Sequence, residues 1–523
     1  PIIAEAHDAS HGIYDGQTGE TLIQGKSGLP IFVGVMAFAV KAVIEKVSSG
    51  DDLKEGDVYI FNDPYDGGTH LSDFRLVKPI FRDGAVFCYI ASVGHWHDVG
   101  GNVPGNYNPE ATESFQEGIL IPPVKLFKEG KLNQDIVNIL SANSRLPNSL
   151  YGDLNGQINA LDLGEERLHS LLDEYTEEKI TSALKELRER AEKMMRQHIG
   201  ALPNETISVE DYLDNDGVTD DPLTLAIDLT IKDDKMTIDF SRSSNACAGP
   251  VNISKSTTIA ATYVALKHIF TDVPANAGVL KPVEFIIPED SFLNVRAPKP
   301  VGGYTETILR LIDVIFQAFQ NSASDKVNGC AYGTINALSL SGYRKNGSRW
   351  VMFSFFGGGH GGHPEGDGLN HGNAPISTAT IPPLEILEAA YPIQFTKWGL
   401  RPNSGGKGKH RGGLGAIYEI ELLEEEANAF LFGERGKFAP KGVVDGEEGA
   451  LNRFYYGYEA DDPPEKQLSP PLKSKITGIS LKKGQRVRLE TPGGGGFGKS
   501  SERPVERLNY DLEQGYVTGA KND

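Results

Sequence analysis

Residues 62–101 join two kinds of segment that a single buried strand cannot accommodate. The stretch opens Asn62-Asp63-Pro64-Tyr65-Asp66-Gly67-Gly68-Thr69-His70-Leu71-Ser72-Asp73 and closes Gly94-His95-Trp96-His97-Asp98-Val99-Gly100-Gly101. Between them lie two runs, 74–81 and 85–93, rich in Val, Ile, Phe and Tyr at period two and separated by Arg82-Asp83-Gly84. An Asp-Gly turn between alternating apolar runs predicts an antiparallel hairpin. His70 and Asp73 stand just before one strand, and His95 and Asp98 just after its partner, so the hairpin brings them to the same end. Buried carboxylates and imidazoles are costly unless paired or bound to metal. The segment therefore points to a divalent-metal or acid/base site.

The candidate ligands are His70-x-x-Asp73 plus His95, with Asp8 as a possible fourth. Zn²⁺, Mn²⁺ and Fe²⁺ accept mixed imidazole and carboxylate donors and leave a position open for water. The competing reading is a loop whose Asp and His cap turns. His97 and Asp98 are candidates for proton transfer or for orienting a ligand. The plainer reading for His97 is a solvent-facing neighbour of His95.

The chain has 523 residues, with 51 Lys+Arg against 71 Asp+Glu and a formal net charge of −20. That balance argues against a nucleic-acid footprint. The basic residues of 185–196 alternate with Glu, as on a solvated helix face. Cys88, Cys247 and Cys330 are too few for a disulfide framework and fit a reducing, cytoplasmic setting. Cys88 lies in an apolar strand and reads as core. The apolar run 31–40 is too short to span a bilayer. The chain opens at Pro1 without Met or a signal-peptide pattern, as a fragment would.

Length implies about three domains. They are a metal-site domain over 1–200 ending in a long helix, an α/β middle domain over 201–350, and a Gly-rich, mainly β region over 351–523. The fold class is α+β, a multi-domain mixed fold with antiparallel β-hairpins and a long central helix. A hairpin over 12–23, helices over 30–47, 162–199, 257–270, 306–321 and 504–513, and strands over 57–61, 223–231 and 235–240 follow from periodicity and turn residues.

Glycine-rich segments punctuate the last third. Gly357-Gly-Gly-His360-Gly-Gly-His363-Pro-Glu-Gly-Asp367, with His371 beyond it, could line a pocket or form a surface loop. The run from Asn403 to Gly413, with Lys407, Lys409, His410 and Arg411, could bind phosphate through backbone N–H groups. More often such a run is an exposed hairpin tip. Gly493-x-x-x-x-Gly498-Lys499-Ser500 formally matches a P-loop. A P-loop helix starts at the Lys, whereas here Pro504 delays it, and too little chain follows for the remaining nucleotide fold. No Gly-x-Ser-x-Gly elbow occurs, and a nucleophile-based mechanism has no support.

Several of these segments together resemble the hydantoinase B/oxoprolinase family. They are 62–73, 94–101, Glu117-Gly-Ile-Leu-Ile-Pro122-Pro-Val-Lys125-Leu, the 404–415 run and Thr491-Pro-Gly-Gly-Gly-Gly-Phe-Gly498, in order over nearly the whole chain. The resemblance implies a B-type enzyme subunit that works with a separate, ATP-hydrolysing hydantoinase A-type subunit. ATP would bind on that partner, which phosphorylates an amide or enolate oxygen. It implies a cyclic-amide hydrolase of hydantoin, oxoproline or lactam type. A subunit of an acetone- or acetophenone-type ketone carboxylase is the alternative, and a purely structural subunit a third reading. It implies His70, Asp73 and His95 as metal ligands, with Asp8 of Asp8-Ala9-Ser10, and favours Zn²⁺, Mn²⁺ or Fe²⁺ over Mg²⁺. The family also carries a helix ahead of the Asp-x-Ser segment, for which this chain offers only the residues before Asp8.

Overall fold

The computed structural model describes residues 2–378 and 380–519. A short helix, α1 (Ile2–Ala6), stands directly ahead of Asp8 and leads into β1 (Ala9–Asp15) and β2 (Thr21–Gln24). The Asp15 carboxylate holds the turn between them by accepting from the backbone of Gln17 and Thr18 at 3.0 and 2.9 Å. Helix α2 (Pro30–Ser48) has Pro in its first turn, where a missing N–H costs nothing. Then come β3 (Val58–Phe61), β4 (Asp73–Arg82), β5 (Ala85–His95), β6 (Val124–Lys128) and β7 (Lys131–Leu132). They form one antiparallel sheet in the order β2-β1-β5-β4-β3-β6-β7. The predicted hairpin is its centre.

This sheet is covered on both faces. Tyr59, Phe61, Val77, Ala91 and Val93 enter a core shared with α2, whereas Ile60, Phe74, Leu76, Cys88 and Ile90 enter a second core. Two-sided burial explains why the strands read as almost continuous apolar runs. The second core is closed by α4 (Pro147–Tyr175), which follows α3 (Gln134–Ala142) and precedes α5 (Glu177–Gly200). The single helix expected over 162–199 is thus two. They break at Thr176, whose φ of 69° no β-branched residue adopts within a helix. The first of the two also starts 15 residues earlier than expected, at Pro147 (162 − 147).

The middle region holds β8 (Glu205–Leu213), β9 (Leu223–Lys232), β10 (Lys235–Asp239), α6 (Lys255–Ile269), β11 (Val283–Ile286) and α7 (Tyr304–Phe319). The sheet order is β11-β10-β9-β8, with β11 parallel to β10. Helix α2 meets α6 where Gly34 faces Ala260 so closely that a Cβ would lie 2.8 Å from that of Ala260. Helix α7 is buried throughout, polar residues included. Its Arg310 pairs with Asp211 at 3.3 Å, its Asp313 pairs with Arg435, and Glu434 beside them pairs with Lys475. Removing one partner of such a network leaves an uncompensated buried charge, at about 3–5 kcal/mol.

The remaining strands are β12 (Ala337–Tyr343), β13 (Arg349–Ser354), β14 (Ile393–Leu400), β15 (Ala416–Leu422), β16 (Glu426–Phe432), β17 (Arg453–Tyr458), β18 (Lys475–Lys482) and β19 (Arg486–Glu490). Helices α8 (Leu384–Ala390) and α9 (Val505–Glu513) accompany them. Two antiparallel sheets, β13-β12-β16-β18 and β14-β15-β19-β17, share one core that includes Leu338, Met352, Leu431, Tyr418 and Leu489. Strands from both sides of position 350 therefore belong to one sheet. The whole is an α+β, multi-domain architecture.

The glycine runs depart from expectation. Instead of forming an exposed tip, the segment 403–413 packs most of its glycines inward, while Asn403, Lys407 and Lys409 stay exposed. Gly413 N–H donates to His360 O at 2.7 Å, Gly494 N–H to Gly413 O at 3.0 Å, and Gly362 N–H to Gly495 O at 2.9 Å. The three runs satisfy one another's backbone groups at separations that exclude side chains. A Cβ on Gly413 would stand 2.0 Å from Leu369 O. No helix starts at Lys499, because a short 3-10 turn (Ser500–Glu502) intervenes before α9. Among the described residues no helix is long and apolar enough to cross a membrane.

The Gly413→Ala substitution meets rigid backbone rather than a yielding side chain. We expect it to lower stability by about 1–3 kcal/mol or more, read as a drop in Tm or loss of folded protein on expression.

Candidate metal centre

Strand register builds the site. Asp73, the first residue of β4, is the direct cross-strand partner of His95, the last of β5. On the other flank of β5, His95 N–H donates to Asp8 O at 3.1 Å, which sets Asp8 beside it. The loop that carries His70 is stapled by Asn62, whose side chain donates to Leu71 O and Ile119 O at 2.6 and 2.8 Å and accepts from Ile121 N–H at 2.7 Å. Trp96 fixes the other loop by stacking on Phe74 at 3.9 Å and donating to Gln157 at 2.9 Å.

Three donor atoms converge as a result. His70 Nε2 and His95 Nδ1 each lie 3.0 Å from Asp73 Oδ1, and they lie 3.2 Å from each other. His70, Asp73 and His95 are all buried. Burial opposes charge on Asp73, but the two imidazoles overcome it and hold its carboxyl well below the usual range. Thr69 Oγ1 donates to its other oxygen. Burial lowers the pKa of His70, which also faces the Gly302 carbonyl. His95 stays raised, because Asp73 and Asp8 outweigh burial.

The donor set fits a divalent ion. With metal–ligand bonds of about 2.1 Å, neighbouring donors lie about 3.0 Å apart at 90° and about 3.4 Å apart at the tetrahedral angle. The observed separations fall on that scale, and two imidazoles with one carboxylate are a familiar donor set for such ions. The buried His95 Nε2 and Asp8 Oδ1 find no hydrogen-bond partner among the described residues.

Asp8 stands outside this triangle of three. It lines a cavity of ≈ 30 Å³ with His95, Tyr107, Tyr304, Thr305 and Phe353. Burial, helped by Asp73 and Asp153, lifts its pKa to about 6. The space holds one or two waters. Tyr107, Tyr304 and Phe353 form its aromatic walls, with ring centroids 5.4 and 4.9 Å from His70 for the tyrosines and 5.7 Å from His95 for Phe353.

His97 is buried, not solvent-facing, and burial pushes its pKa down to about 4. Its Nε2 has no partner among the described residues, and it does not line the cavity. The Asp98 carboxylate accepts from Gly100 N–H at 3.2 Å and Arg145 N–H at 2.9 Å, and pairs with Arg145 Nη1 at 3.0 Å. It organises the 98–106 loop. His360 bonds the carbonyl of Asn373, which lines the cavity, and His371 bonds Tyr418; neither histidine itself lines it.

Several neighbours went unseen in the sequence. Asp153 and Gln157 occupy core positions of α4 in the stripe of Leu150, Leu154 and Leu161. Polar residues on an apolar stripe were the available signal, but it lay ahead of the expected helix start. Tyr107, Tyr304 and Phe353 carry no local pattern that separates them from ordinary core.

The comparisons with known proteins agree with the resemblance. The family model for hydantoinase B/oxoprolinase matches residues 1–500. The chain belongs to this family. An uncharacterized protein of Methanocaldococcus jannaschii is 33% identical over 98% of this chain and 88% of its own. The caprolactamase subunit beta of Pseudomonas jessenii is 29% identical over 98% and 88%. The crystal structure of the ATP-dependent caprolactamase from that organism superposes with a TM-score of 0.86 at 27% identity, covering 98% of this chain and 89% of that one. A nucleotide-free acetone carboxylase structure has the same fold, with a TM-score of 0.88 at 20% identity over 99% and 75%.

Glu117 joins the loop after the site to α7 by accepting from Val301 and Gly302 N–H at 3.0 and 2.6 Å, and burial pushes its pKa up to about 8. Because the folded value exceeds the unfolded one, its stability contribution is complete below the ordinary value of 4.5 and is lost as pH rises through about 8. Glu117→Gln should flatten that decline by on the order of a few kcal/mol, seen as a smaller Tm loss than the parent between acidic and mildly alkaline pH.

Proposed function

We propose that this chain is the metal-dependent subunit of an ATP-dependent cyclic-amide hydrolase, acting with a separate A-type ATPase subunit. The convergence of His70 Nε2, His95 Nδ1 and Asp73 Oδ1 within 3.2 Å of one another, in a buried pocket, carries this reading. These three residues would hold a Zn²⁺, Mn²⁺ or Fe²⁺ ion. Such an ion supplies Lewis acidity toward a carbonyl or phosphoryl oxygen and lowers the pKa of water.

The chain's own groups divide the remaining work. Asp8 lines the cavity with an unpartnered carboxylate oxygen, so it can take a proton from water beside the substrate or complete the ligand set. The aromatic walls exclude bulk water and strengthen polar interactions inside. Asp98, paired with Arg145, serves the loop rather than the proton. His97, buried and with its pKa lowered to about 4, stays uncharged at neutral pH. ATP on a partner accords with the interior, backbone-locked Gly493–Gly498 run and with relatives named as ATP-dependent.

Metal analysis of the purified chain should find one transition ion per chain, lost from Asp73→Asn and His95→Ala. Reconstituted with an A-type subunit, the complex should release a ring-opened acid with ATP and without bicarbonate. His95→Ala should cost more than the roughly 10–100-fold typical of an outer-shell partner. Bicarbonate-dependent turnover of a ketone would instead establish a carboxylase, and full activity of metal-free protein would remove the catalytic centre altogether.

A further inference from the structure

The cavity beside His95 is too small for a substrate, at ≈ 30 Å³, yet a groove of ≈ 960 Å³ lies over the outer face of β13-β12-β16-β18. Register shows that one face connects them. Ser339 pairs with Phe353 on one side and Phe430 on the other, and Ser341 pairs with Val351 and Asn428. Directly opposed residues of antiparallel strands project from the same face.

Three rows follow along that face. The outermost carries Arg349, Tyr343, Glu426 and Lys482; the next carries Val351, Ser341, Asn428 and Ser480; the last carries Phe353, Ser339 and Phe430. The last row reaches the site, for Phe353 stacks on His95 at 5.7 Å and on Tyr107 at 5.1 Å. A charged mouth, a belt that is polar except for Val351, and an end where two phenylalanines flank Ser339 thus succeed one another toward the buried histidines. Among the described residues Arg349 and Lys482 have no carboxylate partner, although Glu426 lies opposite Lys482 in register.

The loop 102–107 lies between the two spaces. Asn102 and Pro104 line the groove, and Tyr107 lines the cavity. The loop rests on the sheet through Ser339 Oγ, which donates to Pro104 O at 3.1 Å. Gly105 and Asn106 within it have φ of 83° and 64°. Between its two ends the contacts are polar, Gly105 N–H reaching Asp98 at 3.4 Å and Asn106 Nδ2 donating to Gly100 O at 2.9 Å, whereas Tyr107 at its far end is packed in the core.

We propose that this groove is the entry and binding site for a small polar substrate bearing an oxyanion, received by Arg349 and Lys482, and that the 102–107 loop is the movable partition through which it reaches the buried centre. The proposal rests on the centre being the place of conversion, but access can be read without turnover.

The test is thiol accessibility in the full chain. Thr305 lines only the cavity, and the native thiols of Cys88, Cys247 and Cys330 are buried, with burial raising their pKa values. The Thr305→Cys variant is treated with an anionic methanethiosulfonate sulfonate and a cationic trimethylammonium analogue, with rates divided by those of the urea-unfolded chain. We expect native-state labelling that favours the anion. Adding Ser341→Trp, or Asn428→Trp if the first misfolds, should slow it about tenfold or more, the factor expected when about 1.4 kcal/mol is added to the path. A bulky residue at an exposed position that lines neither space, Val505→Trp, should leave the rate unchanged.

Arg349→Glu with Lys482→Glu should reverse the charge preference. Competition by inorganic phosphate or by acetate then tells a phosphoryl from a carboxylate as the group held. Labelling unaffected by the groove plugs, slowed equally by Val505→Trp, or absent from the native protein would overturn the route. Indifference to reagent charge and to both competitors would overturn the substrate class. Neither result bears on metal content or turnover, so failure here is distinct from failure of the hydrolase reading.

Discussion

The shared Asp73 oxygen is the constraint around which the rest is arranged. A carboxylate this deeply buried needs compensation, and two imidazole nitrogens at 3.0 Å supply it only if three separate backbone segments keep their positions. The β4–β5 ladder sets Asp73 against His95 and the Asn62 staple sets the His70 loop. A one-residue slip of the ladder would turn these side chains to the opposite face. The seven-stranded sheet, packed by α2 on one side and α4 on the other, is the device that forbids the slip.

Rigidity at the centre is matched by adaptable surroundings. The loop after His95 is organised by Asp98, Arg145 and Asn106 through polar contacts, while Trp96, Val99 and Tyr107 tie it to the apolar cores on either side. Polar loop contacts exchange with water more readily than packed side chains do, and such elements come from the low-stability end of a structure. That loop is also the wall between the small aromatic cavity and the large groove. A site can thereby be closed during chemistry and open for loading without disturbing the donor atoms.

The glycine runs solve a separate problem. Beyond the strand ends of the last third, 357–372, 404–415 and 491–498 pack against one another as irregular, largely buried backbone, where every N–H and C=O needs a partner. They find partners in one another at contacts closer than any Cβ permits. Their resemblance to nucleotide or phosphate loops comes from this packing requirement, since glycine serves close backbone approach whatever lies opposite.

The sequence by itself determined the hairpin, its Asp-Gly turn, the common end shared by His70, Asp73 and His95, and the family. These rest on short-range periodicity and on chemically distinctive residues close together in the chain. It also marked α2, α6, α7 and two of the four strands of the middle region, β9 and β10, to within a few residues. Only the tertiary structure decided that Asp8 stands beside the triangle, that Asp98 belongs to Arg145, that 147–200 is two helices, and that the glycine runs are interior. Only it revealed Asp153, Tyr107, Tyr304 and the face leading from Arg349 to Phe353. The reason is one of range: a carboxylate's partner, a cavity wall and a buried loop are set by residues dozens to hundreds of positions away, and no local pattern encodes which segment will arrive opposite.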